Sequence, residues 1–214
     1  MNQTEWDILE KDFYENLKSY FDELYESVLI LRAKTEENDK PYVRSQLCIA
    51  FIAIDTFARF NEIFKGTRGD DLDKNNEKRF KRWVKEFILD DDNEVFKSMG
   101  SRFKMNEDLF WKLRNSLLHF YSFPKSIDGQ RLGFVYNVPE NLHTKVKREM
   151  KQHGHNVKFV DSNFLIEAIF MSFTLFMSKL MEQIEASPDE YIESVKYAYK
   201  IVLNENMKTL QVKN

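Results

Sequence analysis

The scarcity of glycine and proline is the feature of this sequence that most restricts its fold. Only 6 Gly and 4 Pro occur among 214 residues. Turns between β-strands depend heavily on these two residues, so a protein built mainly of short strands is disfavoured. Apolar residues instead recur every three or four positions over long stretches, as they do in amphipathic helices. The sequence therefore predicts an all-α protein.

The periodic stretches predict an up-and-down bundle of about five long helices. One stretch, near 41–64, is apolar on nearly every side at its centre, so we expect it to be the most buried element. The helical stretches lie at about 4–34, 41–64, 75–89, 107–120, 162–185 and 188–207.

The stretch 125–160 departs from the helical period. Residues 132–136 and 157–160 are strand-like, rich in aromatic and β-branched residues, and a short helix is predicted between them at 141–152. This stretch is predicted to be a small β-containing insertion near 130–160. A chain of this length suits one compact domain, so we assign 1–214 to a single domain.

Composition and charge exclude several classes of protein. Cys48 is the one cysteine, so no disulfide scaffold can form within the chain. A net charge of -3 argues against a general nucleic-acid coat protein. The longest apolar stretch, Phe164–Met177, is interrupted by Glu167 and is shorter than the roughly 20 residues that cross a bilayer. The first residues lack the pattern of a secretion signal, so we predict a cytoplasmic protein without a membrane segment.

The most informative short segment lies at the end of the helix predicted over 107–120, where Arg114 and Asn115 precede His119. Imidazole moves protons near neutral pH, and a guanidinium can hold a phosphate as charge develops on its oxygens. Asn115 and His119 share a helix face, whereas Arg114 and His119 are about 140° apart. To meet one phosphate they need the length of the Arg114 side chain, a frayed helix end or a second subunit. Cations at a helix end can also simply complement its dipole.

The spacing Arg-Asn-x-x-x-His in Arg114, Asn115 and His119 resembles the Arg-polar-x-x-x-His signature of HEPN (higher eukaryote and prokaryote nucleotide-binding) domains. The resemblance extends loosely over 41–185. It implies an all-helical bundle, often a homodimer with two motifs facing each other, and RNA cleavage without a metal in toxin or antiviral-defence systems. It further implies His119 as acid and base, Arg114 as phosphate clamp and Asn115 as orienter, with an antitoxin protein as a possible partner. The alternative is a noncatalytic HEPN-like module that binds a protein or a nucleotide.

Asp55 is a second candidate, because it is embedded in the apolar run 50–58. An unpaired carboxylate there would cost several kcal/mol. Asp55 is therefore expected either to position Arg114 or His119, or to pair with Arg59 four residues on, or to bond to a neighbouring helix.

The insertion carries a local positive charge. Residues 125–160 contain seven Lys and Arg against three Asp and Glu, a net charge of +4. Phosphate contacts and base stacking on Phe134 and Tyr136 would suit RNA, whereas a solvated surface hairpin is the plain alternative. The cations predicted to bind RNA are Lys145, Lys147, Arg148 and Lys151.

No cofactor and no metal ion is predicted. His153 and His155 are close in sequence, but few carboxylates or thiols lie near them. Phosphate-binding glycine loops and hydrolase nucleophile motifs are missing from the sequence. The attacking group would then come from the substrate itself, and in RNA that group is the 2′-hydroxyl. Together with the resemblance to HEPN domains, this absence favours a metal-independent endoribonuclease.

Overall fold

The computed structural model describes residues 3–38, 42–98, 105–124, 126–127, 130–136, 140–154 and 157–200. Most of them are helical, which confirms the predicted all-α class. The helices are α1 (Gln3–Asn38), α2 (Val43–Phe64), α3 (Asn76–Trp83), α4 (Glu94–Ser98), α5 (Glu107–Phe120), α6 (Glu140–Gln152), α7 (Ser162–Ala186) and α8 (Pro188–Ala198).

Helix α2 lies at the centre of the bundle. It packs against α1, α3, α5, α7 and α8, so no broad face of it is left to solvent. Leu47, Phe51, Ile54 and Phe57 are completely buried. The prediction that this stretch is deeply buried is therefore confirmed, and its position explains why a charged residue within it needs a partner.

Helix α7 supplies the other large part of the core. Phe173 stacks on Phe57 of α2 with 4.6 Å between ring centroids, and it lies 5.2 Å from the ring of Trp83. By length and composition alone α7 could cross a membrane, but 56% of its apolar window is buried inside the protein. Such burial is what the core helix of a bundle requires, so α7 is weak evidence for a membrane protein.

The predicted insertion is a small sheet with one helix across it. Strands β1 (Ser126–Ile127) and β2 (Gln130–Val135) are antiparallel, and β3 (Val157–Asp161) runs parallel to β2. Parallel strands require a crossover connection, which α6 provides. The strand–helix–strand order predicted for 130–160 is thus confirmed.

Three helix boundaries differ from the sequence prediction or pass beyond what is described. Helix α1 continues to Asn38, past its predicted end near 34. The helix expected over 75–89 changes to a π-helical turn at Val84–Ile88, where the chain packs against α7. The last helix was expected to continue to 207, and residues 201–214 lie outside the described part of the chain.

Candidate functional site

Helix α5 is held in a fixed register by its cap and its apolar face. The side chain of Asn106 accepts a hydrogen bond from the Leu109 amide at 2.9 Å, which satisfies one of the free donors of the first turn. Leu109, Leu113 and Leu117 are buried where α5 packs against α2 and α3. This packing leaves the polar motif residues at the edge of the α2–α5 interface.

Asp55 of α2 is the ionic partner of Arg114. Its Oδ2 accepts hydrogen bonds from Nε at 3.0 Å and from Nη2 at 2.7 Å. Arg59, the competing partner considered from the sequence, pairs instead with Asp73 at 3.1 Å. Of the three arrangements considered for Asp55, the structure has the contact with the motif.

The same guanidinium also reaches the other two motif residues. Arg114 Nη1 donates to Asn115 Oδ1 at 3.0 Å and lies 3.4 Å from His119 Nε2. Helix α5 remains regular through Phe120, so no fraying is involved. The length of the Arg114 side chain is enough to overcome the angular separation, and the need for a second subunit on this ground disappears.

We call the cluster of Asp55, Arg114, Asn115 and His119 the motif site. Its side chains differ sharply in how deeply they are buried. The Arg114 side chain is only 17% exposed, and its guanidinium carbon lies 5.1 Å from the centre of the Trp111 ring. His119 is exposed. The site thus combines a fixed, sheltered cation with an imidazole that a ligand can reach.

The charge on Asp55 is set by two opposing effects. Burial raises the pKa of its carboxyl above the ordinary value of 3.8, while hydrogen bonds and charge from Arg114 work against the rise. Arg79 and His119 lower the same pKa through their charges. The contact between Arg114 Nη1 and His119 Nε2 is a hydrogen bond only when Nε2 carries no proton, since Arg can only donate.

His119 also forms part of an open cleft between α2 and α5, with a volume of about 650 Å³. We call it the aromatic cleft, since Phe120 and Tyr121 stand exposed along it. Neither residue was predicted as a site residue from the sequence. Their position directly after the motif was the available signal, because adjacent exposed aromatic side chains form an apolar patch of the kind that marks a binding site. Further lining residues of the aromatic cleft include Ser45, Cys48, Ile49 and Leu118.

The predicted RNA-binding cations are separate from the motif site. Lys145, Arg148 and Lys151 of α6 are exposed, and the side chain of Lys147 lies outside the described part of the chain. Among the described residues, no hydrogen bond or ion pair joins these cations to Arg114 or His119.

The two aromatic residues of the insertion that we expected to stack on RNA bases are less accessible than predicted. Phe134 stacks on Phe123 with 3.8 Å between centroids, so one face of its ring is already used. Tyr136 is half-buried rather than freely exposed. The exposed aromatic rings lie instead beside His119, at Phe120 and Tyr121.

Neither a metal-binding cluster among the described residues nor a related protein provides further information about the site. Within the ranges that the structure describes, no group of three His, Cys, Asp or Glu lies close enough together to hold a metal ion. His155, one of the two histidines considered for a metal, falls outside those ranges. Comparison of the chain with family models, curated proteins and solved structures gave no match.

Proposed function

We propose that the protein is a metal-independent endoribonuclease of the HEPN type, with Arg114, Asn115 and His119 as its catalytic residues. The observation that carries this proposal is the 3.4 Å approach of Arg114 Nη1 to His119 Nε2 at the exposed end of α5. A phosphate oxygen bound at this gap would meet a cation and a proton carrier together. A toxin or antiviral-defence role, and restraint by an antitoxin protein, are proposed from the motif resemblance alone.

The reaction begins at the 2′-hydroxyl of RNA. His119 Nε2 accepts the hydroxyl proton as the 2′-oxygen forms a bond to the adjacent phosphorus. The bond from phosphorus to the 5′-oxygen breaks, and that oxygen takes up a proton. The products end in a 2′,3′-cyclic phosphate and a 5′-hydroxyl, so the atoms balance without water or a metal.

Arg114 stabilises the charge that grows on the phosphate oxygens during this step. Nε and Nη2 are held by Asp55, and the planar fork therefore directs Nη1 toward His119. Asn115 holds the same Nη1 through its Oδ1. Because Asp55 and Asn115 already fix the Arg114 side chain, its conformational entropy need not be lost when the transition state forms.

A homodimer remains part of the proposal for a chemical reason. Cleavage removes one proton and delivers another, and each motif site holds a single histidine. A second copy, with its own motif facing the first, would supply the general acid. Light scattering tests this: a mass of twice 25.7 kDa is expected at micromolar concentration, and a monomer would restrict both proton transfers to one His119.

One observation favours the alternative function, a noncatalytic module that binds a protein or a nucleotide. Four of the five N–H groups of Arg114 point within the chain, toward Asp55, Asn115 and His119. A phosphate held by Nη1 would have to displace one of these contacts. In a binding module this network would serve only to hold α2 and α5 together.

RNA cleavage by the purified protein in EDTA separates the two functions. Wild-type protein should cut single-stranded RNA and leave DNA of the same sequence intact. His119→Ala should lower the rate by about 10²–10⁴-fold, the usual contribution of a general acid or base. Because the His119 side chain is exposed, the melting temperature of the His119→Ala variant should equal that of wild type.

His153→Ala is the matched control, since His153 is an exposed histidine in the turn after α6. It should cleave as wild type does. Equal cleavage by wild type and His119→Ala, or cleavage that needs added magnesium, would contradict the proposed function.

A further inference from the structure

The aromatic cleft begins where the motif site ends. His119 lines it on one side, and Phe120 and Tyr121 follow directly in the chain. Phe120 is 76% exposed and Tyr121 is 54% exposed, although both are large aromatic residues. Core packing therefore does not account for either ring.

Tyr121 is fixed in an unfavourable backbone conformation. Its φ is +48°, in the left-handed region that bulky residues avoid. Two backbone hydrogen bonds close the helix there, from Tyr121 to Leu117 at 2.9 Å and from Ser122 to Ser116 at 3.2 Å. The Tyr121 hydroxyl lies 2.6 Å from that of Ser45 on α2. The ring is thus held as a fixed wall of the aromatic cleft.

The lining suits a flat, neutral group with a polar edge. Among the lining residues that the structure describes there is no Asp, Glu, Lys or Arg, and Ile49 and Leu118 contribute aliphatic surface. Burial raises the pKa of the Cys48 thiol, which keeps that residue neutral as well. In the hydrogen bond between the Ser45 and Tyr121 hydroxyls, only one of the two donates its proton. The other hydroxyl can still donate to a ligand, and lone pairs remain to accept from it.

We propose that the aromatic cleft binds an unpaired nucleobase next to the scissile phosphate, with Phe120 as its stacking platform. This inference rests on the proposed function. In a nucleotide the base is only one sugar away from the phosphate, so a phosphate at His119 brings a neighbouring base to the surface around it. The aromatic cleft is that surface on the side of Phe120 and Tyr121. A paired base in a duplex cannot offer its face to a protein ring, so the substrate class is single-stranded RNA.

The test uses a short oligodeoxynucleotide that contains one ribonucleotide, so that only one phosphodiester has a 2′-hydroxyl beside it. Two further substrates lack the base either of the ribonucleotide or of its 3′ neighbour. Loss of the bound base removes its stacking on Phe120, so kcat/KM of wild type should fall about tenfold. Phe120→Ala should lower kcat/KM on the complete substrate about tenfold and should show no further loss when that base is removed.

Phe164→Ala is the matched control, since Phe164 is 50% exposed and does not line the aromatic cleft. It should behave as wild type on all three substrates. The inference is overturned if neither missing base slows the wild type, if Phe120→Ala matches wild type, or if the two losses multiply.

His119→Ala separates this inference from the proposed function. Cleavage that depends on His119 but not on Phe120 would leave the endoribonuclease standing and remove the base site alone. Absence of cleavage by wild type, or cleavage unaffected by His119→Ala, would remove both.

Discussion

Two basic regions of this protein hold their cations in opposite ways. Arg114 at the motif site is 17% exposed and bonded to Asp55 and Asn115. On α6, Lys145, Arg148 and Lys151 are exposed and have no ionic partner among the described residues. A cation fixed by its neighbours can stabilise charge at one point, whereas free cations can follow a phosphate backbone of any sequence. On this difference we propose that α5 carries the chemistry and that α6 supplies the general attraction of RNA.

Among changes to the cations and their partners, the largest effect is expected for Arg114→Lys, which keeps the charge and removes the planar fork. Lysine cannot hold Asp55 and present a second fixed donor toward His119 at the same time. Loss of one preorganised donor lowers rates by about 10²–10³-fold, and we expect kcat to fall in that range. Single-turnover cleavage measures it. Arg148→Lys on α6 is the matched control and should leave kcat unchanged. Equal effects of the two changes would contradict the proposal that α5, and not α6, carries the chemistry.

Asp55→Asn should have the next largest effect, on activity rather than on stability. An amide oxygen in the place of Oδ2 can still accept the hydrogen bonds from Nε and Nη2 of Arg114, so the free energy of unfolding should change by only about 1 kcal/mol. The guanidinium loses its charged anchor, and misplacement of catalytic groups by small distances lowers rates strongly, so kcat should fall about tenfold.

Asp73→Asn is the control for that change, because it removes an exposed carboxylate that pairs with Arg59. Its kcat should equal that of wild type. A large fall in melting temperature of Asp55→Asn with unchanged cleavage would instead make Asp55 a purely structural partner.

Charge removal on α6 should change binding and not chemistry. Each contact with a single-stranded phosphate contributes about 0.7 to the slope of log K against log salt, so replacing Lys145, Arg148 and Lys151 by Gln should lower the slope by about 2. Saturating kcat should stay that of wild type. Fluorescence anisotropy at several salt concentrations measures the slope.

A triple change of Lys78, Lys85 and Lys97 to Gln is the charge-matched control, since these side chains are exposed elsewhere on the bundle. If it lowers the slope as much as the α6 change does, the basic helix has no special role.

The smallest effect concerns stability and pH. Because burial raises the pKa of Asp55 above 3.8, the folded protein binds this proton more tightly than the unfolded chain. The resulting stability is complete below pH 3.8 and is lost as pH rises through the folded pKa. Urea unfolding should therefore show Asp55→Asn gaining stability relative to wild type over this interval. The opposite slope would mean that the charge of Arg114 outweighs burial.

The spacing of apolar residues in the sequence was sufficient to predict the helices and strands, but not the contacts between them. The apolar surface of α2 and the strands around α6 were predictable because local patterns determine them. Burial required a partner for Asp55, yet the sequence left Arg114, His119, Arg59 and a neighbouring helix all open as that partner. The choice depends on how α2 and α5 align, which no local pattern encodes.

The geometry at the end of α5 shows the same limit. Ideal helix angles separate Arg114 from His119, but a long side chain anchored on another helix bends back to meet the imidazole. The left-handed Tyr121 was also unpredictable, because tyrosine disfavours that conformation and a tertiary contact with Ser45 accompanies it.

We propose that the motif site cleaves RNA by attack of the substrate's own 2′-hydroxyl, and the chemical ends of the products distinguish this reaction from other cleavage reactions. Mass spectrometry of an oligodeoxynucleotide with one ribonucleotide, cut by wild-type protein in EDTA, should find a 2′,3′-cyclic phosphate on one fragment and a 5′-hydroxyl on the other. His119→Ala should yield neither fragment above background. Fragments with 3′-hydroxyl ends, or cutting at positions that lack the 2′-hydroxyl, would contradict the claim.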